Sequence, residues 1–272
     1  MKKKITLILN GKEKHISDED VVIQSLPTAE FRFANPFIVV HHMGPKVLPP
    51  ETSAGSYPHP HRGFAPVTFI VQGELSHKDN AGHSGNVKAG DAQWMFSGKG
   101  LLHDEVPPEQ FMKRGGTQEF LQLWINVPKA NKWDTPAYQL VKKEQQPEVL
   151  KSDGVALRLV SGIYDGKTGP MKTHTPVIFV IGSIAKDKAV NLKATPGYWT
   201  LLYIIKGEVT VNDRDAAIHN LIVFEKENDE IGVVAKTDTQ VLFMSAEPIN
   251  EPVAAKGNFV MNTPEEVKQG HG

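Results

Sequence analysis

Three observations predict an all-β fold for this chain. Short runs rich in Val, Ile, Leu, Phe and Tyr recur along its 272 residues. Gly, Asn or Asp turn signals bound these runs. The 23 Gly and 19 Pro suit many short strands joined by tight turns better than a helix bundle. At about 150 residues per domain, the length points to one or two domains. Lys plus Arg number 30 against 31 Asp plus Glu, a net charge of −1. With no electrostatic excess to attract phosphate backbones or an anionic membrane, no direct nucleic-acid partner is expected.

The opening stretch from Met1 to Leu9 places a short apolar run behind three lysines, but it stops at Asn10-Gly11-Lys12-Glu13. That is too short for a signal-peptide core and predicts an edge strand. Strands are predicted in turn from the runs that start at Phe37, Val67, Phe120, Val155, Val177, Leu201, Leu221 and Val241. The turns between them include Gln72-Gly73-Glu74, Ala89-Gly90-Asp91, Gly98-Lys99-Gly100 and Lys206-Gly207-Glu208. Thr263 as N-cap and Pro264 at the first helical position predict a helix, stopped by Gly270-His271-Gly272. No run approaches the roughly 18 apolar residues that span a bilayer, so a cytoplasmic protein is expected.

Thr68 to Leu75 and Leu202 to Val209 both read strand, turn, Gly-Glu, strand, with Gly73 and Gly207 separated by about half the chain. This suggests a duplication of one β domain. Lys129 to Glu148 is rich in Lys, Gln and Pro, and the boundary is placed there, with one domain at 1–133 and the second at 134–272.

Cysteine is absent, which removes disulfides, zinc–thiolate sites, iron–sulfur clusters and cysteine nucleophiles together. Any metal must therefore be held by His, Asp or Glu. Of the 11 histidines, seven precede residue 84, and His103, His174, His219 and His271 complete the set. His59-Pro60-His61 puts two imidazoles on one side of an extended segment, stiffened by Pro58 and Pro60. His103-Asp104-Glu105 repeats the spacing with a carboxylate. On neighbouring strands the two pairs would converge three imidazoles and one carboxylate. Such a set suits a first-row transition metal and leaves two of six positions open for substrate or dioxygen. Iron is the first choice, with Mn, Co, Ni, Cu and Zn compatible with the same donors.

The run His59-Pro-His-Arg-Gly-Phe64, then Gly73-Glu74, His77-x-Asp79, Gly82-His83-Ser-Gly85, Gly90-Asp91-x-Gln-Trp-Met95, Gly98-x-Gly100 and Leu102-His103-x-Glu105-x-Pro107 resembles the pirin family. Leu121-Gln-Leu-Trp124-Ile-Asn126 and the stretch from Phe259 to Glu266 extend the resemblance over almost the whole chain. It implies a bicupin, two tandem double-stranded β-helix barrels, with one divalent metal held in the N-terminal barrel by His59, His61, His103 and Glu105. The family usually has Glu where this chain has Ala65, which bears on the polarity of the pocket. The resemblance also implies a monomer.

No arrangement of the second half recreates the two pairs. An offset of 134 lays Lys193 and Thr195 on His59 and His61, and Thr237 and Thr239 on His103 and Glu105. The second barrel is therefore expected to be structural or a lid. His77 and His83 flank a Lys78-Asp79-Asn80 turn and are expected to serve as hydrogen-bonded supports. Neither His41 nor His42 is expected to bind metal, and His174 and His219 read as surface or turn residues. Phe64, Phe69, Trp94 and Met95 are candidates for lining an apolar cavity.

The resemblance implies two functions. The first is a dioxygenase that cleaves a flavonol such as quercetin with release of carbon monoxide, with Glu105 as the catalytic base for the substrate hydroxyl. The alternative is a redox-responsive regulator that binds a transcription factor or a metabolic enzyme through the metal-containing barrel.

Overall fold

The computed structural model describes residues 1–17, 20–53 and 57–269. Every run named above lies in a strand: Phe37–Leu48, Phe64–Gln72, Gly116–Asn126, Val155–Ser161, Val177–Ile184, Trp199–Lys206, Asn220–Phe224 and Thr239–Ala246. Ile5–Asn10 is an edge strand paired on one side with Asn220–Phe224. Among the described residues the α-helices are Glu109–Arg114 and Pro264–Lys268. The second is capped by Thr263, whose side chain accepts from the Glu266 N–H while Glu266 reaches back to the Thr263 N–H. The predicted stop at Gly270-His271-Gly272 lies outside the described residues. No helix among these residues is long and apolar enough to cross a membrane.

The two Gly-Glu turns share one backbone requirement. Gly73 has φ 81° and Gly207 φ 86°. A Cβ would lie 2.7 Å from the Thr117 carbonyl oxygen at Gly73 and 2.6 Å from that of Asp238 at Gly207. Only glycine fits either position.

The chain folds into two compact units, one of residues 1–36 with 144–248, the other of 37–143 with the segment from Ile249 onward. This differs from a linear division at 133/134. Residues 137–143 stay with the unit of 37–143 because Ala137–Val141 pairs with Ala92–Phe96. The N-terminus joins the unit of 144–248 through the ladder of Ile5–Asn10, and its buried Lys3 donates to the carbonyls of Glu225 and Glu227. Buried Lys132 similarly ties down the C-terminal segment. Its ammonium donates to the Gly63 carbonyl, Asn126 Oδ1 and the Val260 carbonyl at 2.7, 2.6 and 2.9 Å.

Each unit sets a larger sheet against a four-stranded one. In the unit of 37–143 the larger sheet contains the order Ala137–Val141, Ala92–Phe96, Phe64–Gln72, Gly116–Asn126, Phe37–Leu48, and the smaller runs His59–His61, Leu101–Val106, Glu74–Asp79, Ser84–Lys88. In the other unit the smaller sheet runs Ala189–Lys193, Glu230–Ala235, Glu208–Val211, Arg214–Ala217, the same arrangement.

The ladders correct the internal alignment. Counted from Gly73 and Gly207, His77 matches Val211; Glu105 sits opposite His77 as Val233 sits opposite Val211, and His103 sits opposite His59 as Ile231 sits opposite Leu192. His59 and His61 therefore correspond to Leu192 and Ala194, and His103 and Glu105 to Ile231 and Val233. Lys193, Thr195, Thr237 and Thr239 are not their counterparts, because strand pairing rather than a fixed offset decides equivalence. All four replacements are buried in one apolar core with Val209 and Val211, so hydrocarbon fills the space that polar groups occupy in the first barrel.

Candidate metal centre

Antiparallel pairing places Leu101 opposite His61 and His103 opposite His59. On its other side the same strand sets His103 opposite Asp79 and Glu105 opposite His77. Residues directly opposite share a face, so His59, His61, His77, Asp79, His103 and Glu105 all project from one side of the smaller sheet. The donor atoms of His59, His61 and His103 lie within 4.8 Å of one another, as do those of His77, His103 and Glu105. Thus His103 belongs to both groups, with His59 and His61 in one and with Glu105 and His77 in the other.

The opposite wall is layered. Ile70 and Phe120 of this wall pack with Leu75 and Val87 of the smaller sheet as an apolar floor. Next comes a polar layer of Thr68, Gln93 and Gln122, mutually opposite on their strands. Gln93 and Gln122 donate to the two Glu105 oxygens at 2.5 and 2.9 Å, and Tyr138 Oη donates to Gln93 Oε1 at 2.7 Å. Above this layer, Phe64 and Trp124 pack together at 4.5 Å between ring centroids, and both contact His61. Phe69 and Trp94 lie on the other side of the same strands and line no part of this pocket, since alternation turns them away from Thr68 and Gln93. Ala65 likewise faces away from Phe64, so its departure from the family pattern leaves the polarity of the pocket unchanged.

Burial lowers the His61 pKa to about 3, with His59 adding to the effect. His103 is pushed down by burial and then by its histidine neighbours. Both rings are therefore neutral near pH 7, the form that ligates metal. Burial raises the Glu105 carboxyl against the pull of His77, His59 and the two glutamine amides. Burial would also raise Asp79, but the hydrogen bonds from His77 and His83 outweigh it and leave this carboxyl below its ordinary value.

The residues fit a cation. Neither ring nitrogen of buried His61 has a hydrogen-bond partner, an expensive state for an imidazole with no ligand to hold. His59 Nδ1 donates to the Tyr57 carbonyl at 3.0 Å, so with one proton on the ring Nε2 carries a lone pair. That lone pair faces His103 Nε2 at 3.0 Å. Two imidazole nitrogens facing each other this closely would serve as ligands to one divalent ion.

Among the remaining candidates, His83 donates from Nδ1 to Asp79 at 2.8 Å, a supporting position as expected. Buried His42 pairs with Glu119 at 2.9 Å, remote from this cluster in the ladder. Sequence reasoning did not single out Gln93, Gln122, Thr68, Tyr138 and Trp124 as parts of the site. Gln93, Gln122 and Trp124 stand in motifs that carry the family resemblance, but the inward face of their strands became apparent only after pairing.

Comparison with known proteins agrees with this architecture. Residues 17–125 match the Pirin family model, and 179–271 match that of the Pirin C-terminal cupin domain. A Pseudomonas aeruginosa protein provisionally named a quercetin 2,3-dioxygenase is 32% identical over 271 residues, covering 98% of this chain and 95% of the relative. The crystal structure of quercetin 2,3-dioxygenase from Acinetobacter baumannii superposes with a TM-score of 0.93 at 30% identity, over 100% of this chain and 96% of that one. The bacterial pirin YhhW from Escherichia coli, solved in complex with nickel(II), shares the fold with a TM-score of 0.70 at 21% identity, over 89% of this chain and 99% of that one. Two cupin barrels, one carrying clustered histidines and the other filled with hydrocarbon, place this chain in the pirin family.

Proposed function

We propose that the protein is a metal-dependent dioxygenase that opens the heterocycle of a flavonol-type substrate such as quercetin, with His59, His61, His103 and Glu105 as ligands and iron as the first-choice metal. The observation that carries this reading is the convergence of the His59 and His103 lone pairs, beside orphaned His61, on a pocket walled by Trp124 and Phe64. The activity named for the Acinetobacter baumannii structure and the nickel(II) held by YhhW support it.

When bound, such an ion supplies a Lewis-acid position for the substrate hydroxyl and electron exchange with dioxygen. Both oxygen atoms of dioxygen end in the products, and one ring carbon leaves as carbon monoxide. Glu105 takes the hydroxyl proton as substrate binds, its carboxylate oriented by Gln93 and Gln122. Trp124 and Phe64 supply an apolar aromatic wall for the substrate rings. Trp124 Nε1 and Thr68 Oγ1 are buried without partners, and each can hydrogen-bond to a flavonol oxygen.

The test is metal analysis of the purified protein, followed by oxygen consumption with quercetin under the metal found. Quercetin-dependent uptake with near-stoichiometric metal supports the dioxygenase. Metal without uptake turns the reading to the regulator that binds a protein partner, and failure to take up metal on reconstitution overturns the site itself.

A further inference from the structure

Asp79 occupies the far side of the histidine cluster, and its carboxylate is fully committed. Oδ1 accepts the N–H groups of Ala81 and His83 at 2.9 and 3.0 Å. Oδ2 accepts from His77 Nε2 at 3.0 Å and from His83 Nδ1 at 2.8 Å. A carboxylate can only accept, so His77 Nε2 carries a proton, and with one proton on the ring Nδ1 carries a lone pair. That lone pair faces His103 Nδ1 at 3.5 Å. His103 must then carry its own proton on Nδ1, which leaves Nε2 as a lone pair facing His59 Nε2. His77 has little freedom to turn out of this line, because its ring stacks on Tyr138 at 4.5 Å with an interplanar angle of 8°.

We propose that Asp79, acting through His77, is the positioning residue that makes Nε2 the metal-binding nitrogen of His103. The chain of donors and acceptors runs in one direction, from His103 Nδ1–H to His77 Nδ1 and from His77 Nε2–H to Asp79 Oδ2. It is a longer version of the carboxylate–histidine–metal arrangement, with a second imidazole inserted. At the other end, the Tyr57 carbonyl does the same for His59. Anchors on opposite sides of the cluster therefore aim two lone pairs at each other, an arrangement that repels until a cation enters. This inference rests on the metal reading above and adds to it the group that selects the ligand atom.

The polarity of the relay makes the test specific. In Asp79→Asn the two backbone N–H groups hold the amide oxygen in the Oδ1 position. The new NH2 then takes the place of Oδ2 and donates to His77 Nε2. Each proton shifts one nitrogen along, ending on His103 Nε2, where it blocks the metal. Nickel(II) titration of Asp79→Asn should show affinity reduced by about 10- to 100-fold. His77→Phe keeps the stack on Tyr138 but cuts the relay without reversing it, and should lose less. A structural role alone does not predict that order, and melting of the metal-free proteins shows that both variants are folded. Nitrogen-15 NMR of zinc-loaded wild type should place protons on His77 Nε2 and His103 Nδ1. A proton on His77 Nδ1, or nickel binding in Asp79→Asn as tight as in wild type, overturns the relay. Should Asp79→Asn fail to fold, the wild-type spectra and His77→Phe decide alone. Wild type that takes up neither nickel nor zinc overturns the metal reading instead.

Discussion

The Nε2 atoms of His59 and His103 face each other across 3.0 Å, and each ring commits its other nitrogen elsewhere, His59 to the Tyr57 carbonyl and His103 toward His77. Nothing in the protein stands between the facing atoms. His59→Ala and His103→Ala are each expected to reduce metal affinity by at least about 100-fold, more than the loss of an outer partner costs. Metal content after reconstitution and dialysis checks this, and near-stoichiometric metal in either variant removes that residue from the ligand set.

Glu105→Gln preserves shape but replaces a carboxylate that two glutamine amides address. Quercetin turnover is expected to vanish while part of the metal is retained on the three histidines. Full activity in this variant would falsify the assignment of Glu105 as base.

Trp124→Phe keeps an aromatic wall against Phe64 and His61 but removes a buried N–H that has no partner within the protein. Loss of one hydrogen bond to substrate, about 1 kcal/mol, predicts a fall of roughly 5- to 10-fold in kcat/KM for quercetin. Metal content should not change. An unaltered kcat/KM means that the indole does not meet the substrate.

Lys132→Met removes a buried ammonium and strands three acceptors, the Gly63 and Val260 carbonyls and Asn126 Oδ1. Because the replacement has similar volume, the cost is chiefly electrostatic, about 2–4 kcal/mol. Urea unfolding should show a lower midpoint. An unchanged midpoint would show that the Lys132 bonds are as well made by water in the unfolded chain.

Local patterning determined the strands, the Gly-Glu turns and the Thr263 cap, because side-chain alternation, positive φ and helix capping are decided within a few residues. The two histidine pairs were legible for the same reason: spacing by two on an extended segment forces a shared face at His59 and His61 and again at His103 and Glu105. Tertiary structure alone decided which strands lie side by side. That pairing brought His77 and Asp79 behind His103, placed Gln93 and Gln122 on Glu105, turned Phe69 and Trp94 away from the pocket, and matched Leu192 and Ile231 rather than Lys193 and Thr237 to His59 and His103. It also assigned the chain ends to their units. Register between strands depends on contacts made across tens to hundreds of residues, and a shift of one position turns every side chain to the opposite face. The sequence therefore determined which residues could bind a metal, and the pairing of distant strands decided which other groups hold them in place.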